Sequence, residues 1–321
     1  MSTHEPPPSL NRPAMPGNLT VLERGWLSSN NTLLHGLPGE PAVLVDSGHS
    51  VHAAQTEVLV RHALQAAGGP DARLGRVVNT HLHSDHCGGN ARLRQAFGAA
   101  VWVPPGLAQA ARDWDESRLS HQPTGQICER FTVDAVLQPG QPLRVGGLDW
   151  QVLAAPGHDA HSVVLFEPVH GVLLSADALW ENGFGVVFPE LDGESGFQEV
   201  GEVLDLIERL PVRWVVPGHG APFADVAGAL QRARARLASH RAEPSRHARH
   251  AGKVLLKYHL MELGSQPLDA LRRWGRETPL TAATQRAAGV GGSVQDWFDG
   301  LLADLLASGA LRRDGETVFD A

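Results

Sequence analysis

Residues Thr80–Asn90 read Thr-His-Leu-His-Ser-Asp-His-Cys-Gly-Gly-Asn. They follow the apolar run Arg76-Val77-Val78-Asn79, so they lie in a loop leaving a buried strand. The loop offers four donors: His81, His83, Asp85 and His86. In an extended segment His81 and His83 project to the same side. Asp85 and His86 follow in a turn and aim at a neighbouring point. Cys87, Gly88 and Gly89 are small enough for tight backbone, and Cys87 reads as a packed thiol rather than a ligand. Imidazole and carboxylate suit Zn²⁺, Fe or Mn²⁺. Four such donors from so short a span do not easily share one tetrahedral ion, so two divalent ions are the natural occupants. The plainer reading, a polar loop with chance histidines, is outweighed by the spacing.

Working outward, other short polar landmarks each follow an apolar run. They are Val45-Asp46-Ser47-Gly48, Pro156-Gly157-His158, Ser175-Ala176-Asp177 and Pro217-Gly218-His219-Gly220. Any one of them alone would be an ordinary turn. HLHSDH resembles the HxHxDH motif of the metallo-β-lactamase superfamily, and the other landmarks resemble that family's remaining motifs in their order. The resemblance covers roughly residues 19–225. It implies an α/β fold, an αββα sandwich. It also implies that His81, His83 and His158 hold a first metal, that Asp85, His86 and His219 hold a second, and that Asp177 bridges them. Zn²⁺ is the expected ion, with Fe or Mn as alternatives. Asp46 would orient the metal loop from behind. A hydroxide shared by the two ions would be the nucleophile, with Asp85 as the catalytic proton carrier. In Pro156-Gly157-His158-Asp159-Ala160-His161-Ser162, His161 stands where the family has a small residue. It reads as facing the pocket or buttressing His158.

Composition is that of a globular chain: 321 residues, 42% hydrophobic and 19% charged, which excludes a disordered or collagen-like protein. Two cysteines are too few for a disulfide framework. Residues 1–18 read as a proline-rich flexible arm without a secretory pattern. No apolar stretch approaches the ~18 residues of a membrane span, so a cytoplasmic protein without a membrane partner is expected. Residues 19–225 alternate short buried strands (42–45, 76–79, 100–103, 150–153, 162–166, 172–175, 214–216) with helices at 53–67 and 197–210. The character changes in residues 226–321. Gly228–Arg276 carries eleven Lys or Arg against three acids, a net of +8, so the rest of the −8 chain carries −16. Helices at 252–263, 267–274 and 293–308, then a hairpin around Asp314-Gly315, outline a C-terminal helical subdomain, winged-helix-like or plainly helical.

The resemblance narrows the chemistry to hydrolysis. Well-known β-lactamase branches have cysteine or serine, not aspartate, at the position of Asp177. Only 41 residues separate Asp177 from His219, too few for the extra domain of the large RNA-processing nucleases. What remains is a hydroxyacylglutathione hydrolase-like reading, in which a small acyl-thioester or ester is cleaved. The alternatives are a lactonase and an endoribonuclease-like phosphodiesterase; a metal-dependent nucleic-acid-binding module is the non-enzymatic one. Lactonases commonly place a tyrosine soon after the bridging aspartate, and here the nearby aromatic is Trp180. Trp180, Phe184 and Phe188 read either as the wall of a substrate mouth or as core. Arg246, Arg249 and Lys253 could offer basic contacts to an anionic thiol carrier. The plain reading of the basic tail is a solvated helical face or a homodimer contact; a nucleic-acid surface is the less favoured alternative.

Overall fold

The computed structural model describes residues 15–321; most of the arm expected over residues 1–18 lies outside the described residues. Six strands form the first sheet in sequential order: β1 (Leu19–Leu22), β2 (Asn31–Leu34), β3 (Ala42–Val45), β4 (Leu74–Val78), β5 (Ala100–Val103) and β6 (Ala135–Val136). The second sheet has the order β11-β10-β9-β8-β7, with β7 (Pro142–Val145), β8 (Leu148–Ala154), β9 (Val163–Glu167), β10 (Val172–Ala176) and β11 (Trp214–Pro217). In the first sheet β3, β4 and β5 are parallel neighbours. In the second, β8, β10 and β11 all run in one direction. Every motif loop therefore leaves the C-terminal end of a strand.

Strands buried on both faces explain why their sequences are continuously apolar rather than alternating. Along β3, Val43 and Val45 turn inward toward Trp150, Val152, Leu165 and Leu174 of the second sheet. Leu44 and, on β4, Val77 turn outward under α1 (Ala53–Gly68) and α3 (Asn90–Phe97), where they meet Val60, Leu64 and Leu93. On the other side Phe166, Leu173 and Val215 are covered by α7 (Gly196–Arg209) and α8 (Val226–Ala242). The result is the αββα layering. Short helices α2 (Ser84–Cys87), α4 (Ala108–Asp113), α5 (His121–Thr124) and α6 (Phe188–Leu191) punctuate the loops.

The tail differs from the expected three helices. It contains α9 (Pro244–Leu263), α10 (Leu268–Glu277), α11 (Pro279–Ala287) and α12 (Val294–Ala307), and α8 precedes them. Pro244 and Pro279 each begin a new helix at a position where the missing N–H is harmless. The face of α8 made by Ala229, Leu230, Ala233 and Leu237 belongs to the core over the second sheet, so packing changes at Glu243–Pro244 rather than at residue 226. The hairpin of β13 (Leu311–Asp314) and β14 (Thr317–Asp320) gains an unforeseen third strand, β12 (Ser265–Pro267), paired to β14. β12 is three residues long and partly exposed, so no apolar run marks it. No described helix is long and apolar enough to cross a membrane.

Candidate metal centre

Five strand ends deliver the site. Asp46 follows β3 with φ 58° and Asp177 follows Ala176 with φ 46°, two left-handed non-glycine residues at the rim of the sheets. Such backbone is costly and is held only where its surroundings over-determine it. At Ala176 the β10–β11 register also shifts, which re-aims the next side chain. Gly218 is obligatory beside it, because a Cβ there would collide with Asp177 Oδ1. Gly89 is required for a similar reason, close approach to the Ser47 carbonyl.

The side chains converge as two groups. One ligating atom each from His81, His83 and His158 lies within 4.8 Å of the others, and the same holds for Asp85, His86, Asp177 and His219. Asp177 faces both groups. Its Oδ2 is 3.3 Å from His158 Nε2, while its Oδ1 is 3.5 Å from His86 Nε2 and 3.9 Å from His219 Nε2. Asp85 Oδ2 is 3.1 Å from His219 Nε2. Asp46 stands behind: its carboxylate accepts from Thr80 N and Thr80 Oγ1, both at 2.8 Å, and lies 2.8 Å from His86 Nδ1. His158 Nδ1 is fixed 2.6 Å from the Val186 carbonyl.

The electrostatics follow from burial. Burial pushes His83 and His158 down to about 4 and His81 well below its ordinary value, with neighbouring imidazoles adding to the effect on His81. Neutral imidazoles keep a lone pair for ligation. His86 behaves oppositely: burial works against its charge, but Asp177, Asp46 and Asp85 together raise it well above the usual range. Burial likewise opposes ionisation of Asp85 and Asp177, yet the surrounding histidines, His86 foremost, hold both carboxyls low. His81 Nε2 and His86 Nε2 are buried without a hydrogen-bond partner among the described residues. Buried, unpartnered imidazole nitrogens beside three carboxylates are a donor set that fits divalent cations.

The site opens into a cavity of about 360 Å³. Of the residues expected to line it, Trp180 and Phe188 do. Trp180 Nε1 donates to Asp177 Oδ1 at 3.2 Å, and the Phe188 ring lies 4.9 Å from that of His83. Phe184 is 1% exposed and belongs to the core under α7 and α8. Arg246 pairs with Glu243 at 2.5 Å on the surface; Arg249 and Lys253 pair with Asp304 at 2.8 and 3.6 Å. None of these three cations lines the cavity, because their face of α9 turns to solvent and to α12. His161 is exposed, with its ring against Gly106; Asp159 is the residue of that loop that nears the site, 3.9 Å from His83 Nε2.

Sequence reasoning missed several contributors. Trp26 stacks on His219 with ring centroids 5.4 Å apart. Ser47, Asn79 and Asn90 form a buried network that holds the His86 carbonyl; the signal for Ser47 and Asn79 was a polar residue just past a buried strand, whereas Asn90 opens α3 and carried no such signal. Tyr258, Arg236 and His250 reach the cavity from α8 and α9, and helical periodicity says nothing about which distant sheet edge a helix will cover.

Comparison with known proteins agrees with this geometry. The model of the metallo-beta-lactamase superfamily matches residues 24–219. A hydroxyacylglutathione hydrolase of Xanthomonas euvesicatoria is 30% identical over 80% of this chain and 86% of its own length. A hydroxyacylglutathione hydrolase of Methylococcus capsulatus is 28% identical over 53% of this chain, which spans only 57% of that relative's length. An acyl-coenzyme A thioesterase of Gallus gallus is 25% identical over 65% of this chain and 79% of its own. A solved metallo-beta-lactamase family protein of Thermus thermophilus shares the fold with a TM-score of 0.54 at 22% identity, over 96% of this chain and 100% of its own. Strand-end donors, αββα layering and the match over residues 24–219 lead to one conclusion: the chain belongs to the metallo-β-lactamase superfamily.

Proposed function

We propose that this protein is a hydrolase that carries two divalent ions and cleaves a small acyl-thioester whose thiol half is anionic. The observation that carries the reading is Asp177, one carboxylate turned to both donor groups at the floor of a mainly apolar cavity. His81, His83 and His158 would hold one ion, and Asp85, His86 and His219 the other, with Asp177 shared. Bound there, such ions acidify water toward neutrality and polarise a substrate carbonyl; Zn²⁺ fits the donors, as do Fe and Mn.

The chain's own groups do the rest. Asp46 and Thr80 fix the His86 ring, and Trp180 fixes Asp177. Phe188, Val254 and Leu255 offer an apolar wall for the acyl group. Asp85, kept ionised by His86 and His219 against the pull of burial, accepts the proton of the attacking water. The water oxygen bonds to the carbonyl carbon, the carbon–sulfur bond breaks with its electron pair on sulfur, and Asp85 returns the proton to that sulfur, so a carboxylic acid and a thiol are released. Burial and the Asp85 and Asp177 carboxylates raise the Tyr258 phenol well above its usual range, so it stays a hydrogen-bond donor at the cavity wall. Arg236 supplies the contact for the anionic thiol. Its guanidinium meets His240 Nε2 at 3.3 Å and His250 Nε2 at 2.9 Å, lies over the Phe184 ring at 5.5 Å, and has no carboxylate partner among the described residues.

One substrate panel tests the proposal. Acyl-glutathione and acyl-coenzyme A thioesters, lactones, β-lactams, phosphodiesters and single-stranded RNA are compared with the metal-loaded protein. Thioesters are expected to turn over fastest. Preferred cleavage of RNA with a steep salt dependence, or of lactones, would replace this reading.

A further inference from the structure

Behind the turn that carries Asp85 and His86 lies a second buried set of donors. Cys87 closes α2, and its Sγ is 3.8 Å from Sγ of Cys128. A ring nitrogen of His121, at the start of α5, and the two sulfurs all lie within 4.8 Å of one another. His121 is 1% exposed, and neither of its ring nitrogens has a hydrogen-bond partner among the described residues. Ser120, with φ 66°, holds the preceding backbone in the left-handed region as the chain turns into α5. A buried imidazole kept idle on both sides calls for a partner that is not a protein group.

We propose that Cys87, Cys128 and His121 form a separate metal site, selective for a thiophilic divalent ion such as zinc. Two thiolates and an imidazole are a zinc donor set, and three of them leave one tetrahedral corner for water or a carbonyl. The spacing agrees: zinc–sulfur bonds of about 2.3 Å at a tetrahedral angle put two sulfurs about 3.8 Å apart. A disulfide would need them to close to about 2.05 Å. Charge agrees too. Zn²⁺ with two thiolates is neutral, which suits an apolar neighbourhood of Leu82, Val103, Leu119 and Phe131. Both thiols lose their protons to solvent on binding. The ion would staple the 114–134 loop to α2, next to the Ser84 Oγ bond to Gln126 Oε1 at 2.7 Å. Thr124 and Gln126 of that loop line the hydrolytic cavity, so the staple would set one wall of it.

The test uses the full chain, stripped of metal under reducing conditions and reloaded with Co²⁺. The Asp177 cluster has only nitrogen and oxygen donors, so a thiolate-to-cobalt charge-transfer band can arise only at the cysteines. We expect that band in the unmodified chain, its loss in Cys128→Ser and its shift in His121→Gln. We also expect about one equivalent less zinc per chain in Cys128→Ser, one ion per site. An unmodified chain without the band, or Cys128→Ser with full zinc content, overturns the site. So does a Cys87–Cys128 disulfide found by mass in protein purified without reductant. The unmodified chain's spectrum decides the matter even if a variant does not fold. Metal loss from the Asp177 cluster alone would leave the band unchanged, so the two readings fail separately.

Discussion

On the proposed reading, Asp177 concentrates the chemistry of the site in one carboxylate. Replacing it with alanine removes the group facing both donor sets and leaves His86 and His158 turned to a gap. Elemental analysis of Asp177→Ala should show loss of bound metal, with hydrolysis down by at least about 10³-fold; a variant that keeps both would end the bridging reading. On the same reading Arg236 is the complementary case, a recognition residue rather than a reacting one. Arg236→Gln should raise KM for anionic thioesters roughly 10- to 100-fold, the worth of a hydrogen bond to a charged group, with kcat little changed. A fall in kcat at constant KM would show that the guanidinium does something else. The seven side chains that converge here were legible in the sequence because each belongs to a short polar stretch that follows an apolar run. Arg236 was not, since it is one arginine among several on a helix of mixed polarity.

At the scale of the element, α9 turns a sheet edge into a cavity. Ala248, Ala251 and Leu255 pack against Val186, Leu191 and Leu280. Glu262 on the same helix reaches His49, just past Asp46, at 3.3 Å. That docking brings Tyr258 over the centre. Tyr258→Phe should lower kcat/KM about 10-fold, the value of one hydrogen bond made in the transition state, while metal content stays constant; unchanged kinetics would make the phenol mere wall. Elsewhere in the tail, α12 starts with a capping box in which Ser293 and Asp296 satisfy each other's backbone N–H groups. Ser293→Ala should cost about 1 kcal/mol in chemical unfolding, and a null effect would mean that the α12 terminus frays in the native state. The helices at 53–67 and 197–210 were readable because one face of each is plainly apolar. The extent of α9 was not, because its first turns are Ser, Arg, His and Ala, and a tertiary partner rather than propensity makes them helical.

At the scale of the whole molecule, a pH signature comes from buried histidines that are not among the candidate metal ligands. His247, 2% exposed, accepts from Val187 N at 3.0 Å and sits among Phe197, His240 and Arg236. Burial first, then the neighbouring His240, His250 and Arg236, push it down to about 3; burial and Arg236 hold His240 and His250 down to about 4. In the unfolded chain these histidines titrate near their ordinary value of about 6.5. Between that pH and about 4 the unfolded state therefore binds protons that the native state refuses. Stability is at its full value above about pH 6.5 and is lost as the pH falls through that window. The slope reaches about 1.4 kcal/mol per pH unit for a site like His247. Urea unfolding of metal-loaded protein from pH 7.5 to 4.5 measures it, and His247→Gln should flatten the curve; identical slopes in the two proteins would remove His247 from the account.

Local pattern determined the strands that lead to Asp46, His81, Asp177 and His219, because burial on both faces writes itself as an apolar run, while β8, which leads to His158, shows instead the alternation of a strand buried on one face. It also determined the residue types of the candidate metal centre, because their chemistry is borne by single side chains. What only the tertiary structure decided is which cations, aromatics and thiols face one another. Arg236 rather than Arg246 enters the cavity, Phe188 rather than Phe184 walls it, and Cys87 finds Cys128 and His121. Those choices depend on how helices and loops dock on a sheet edge. Docking is set by packing between segments far apart in the chain, and that packing leaves no periodic trace in either segment.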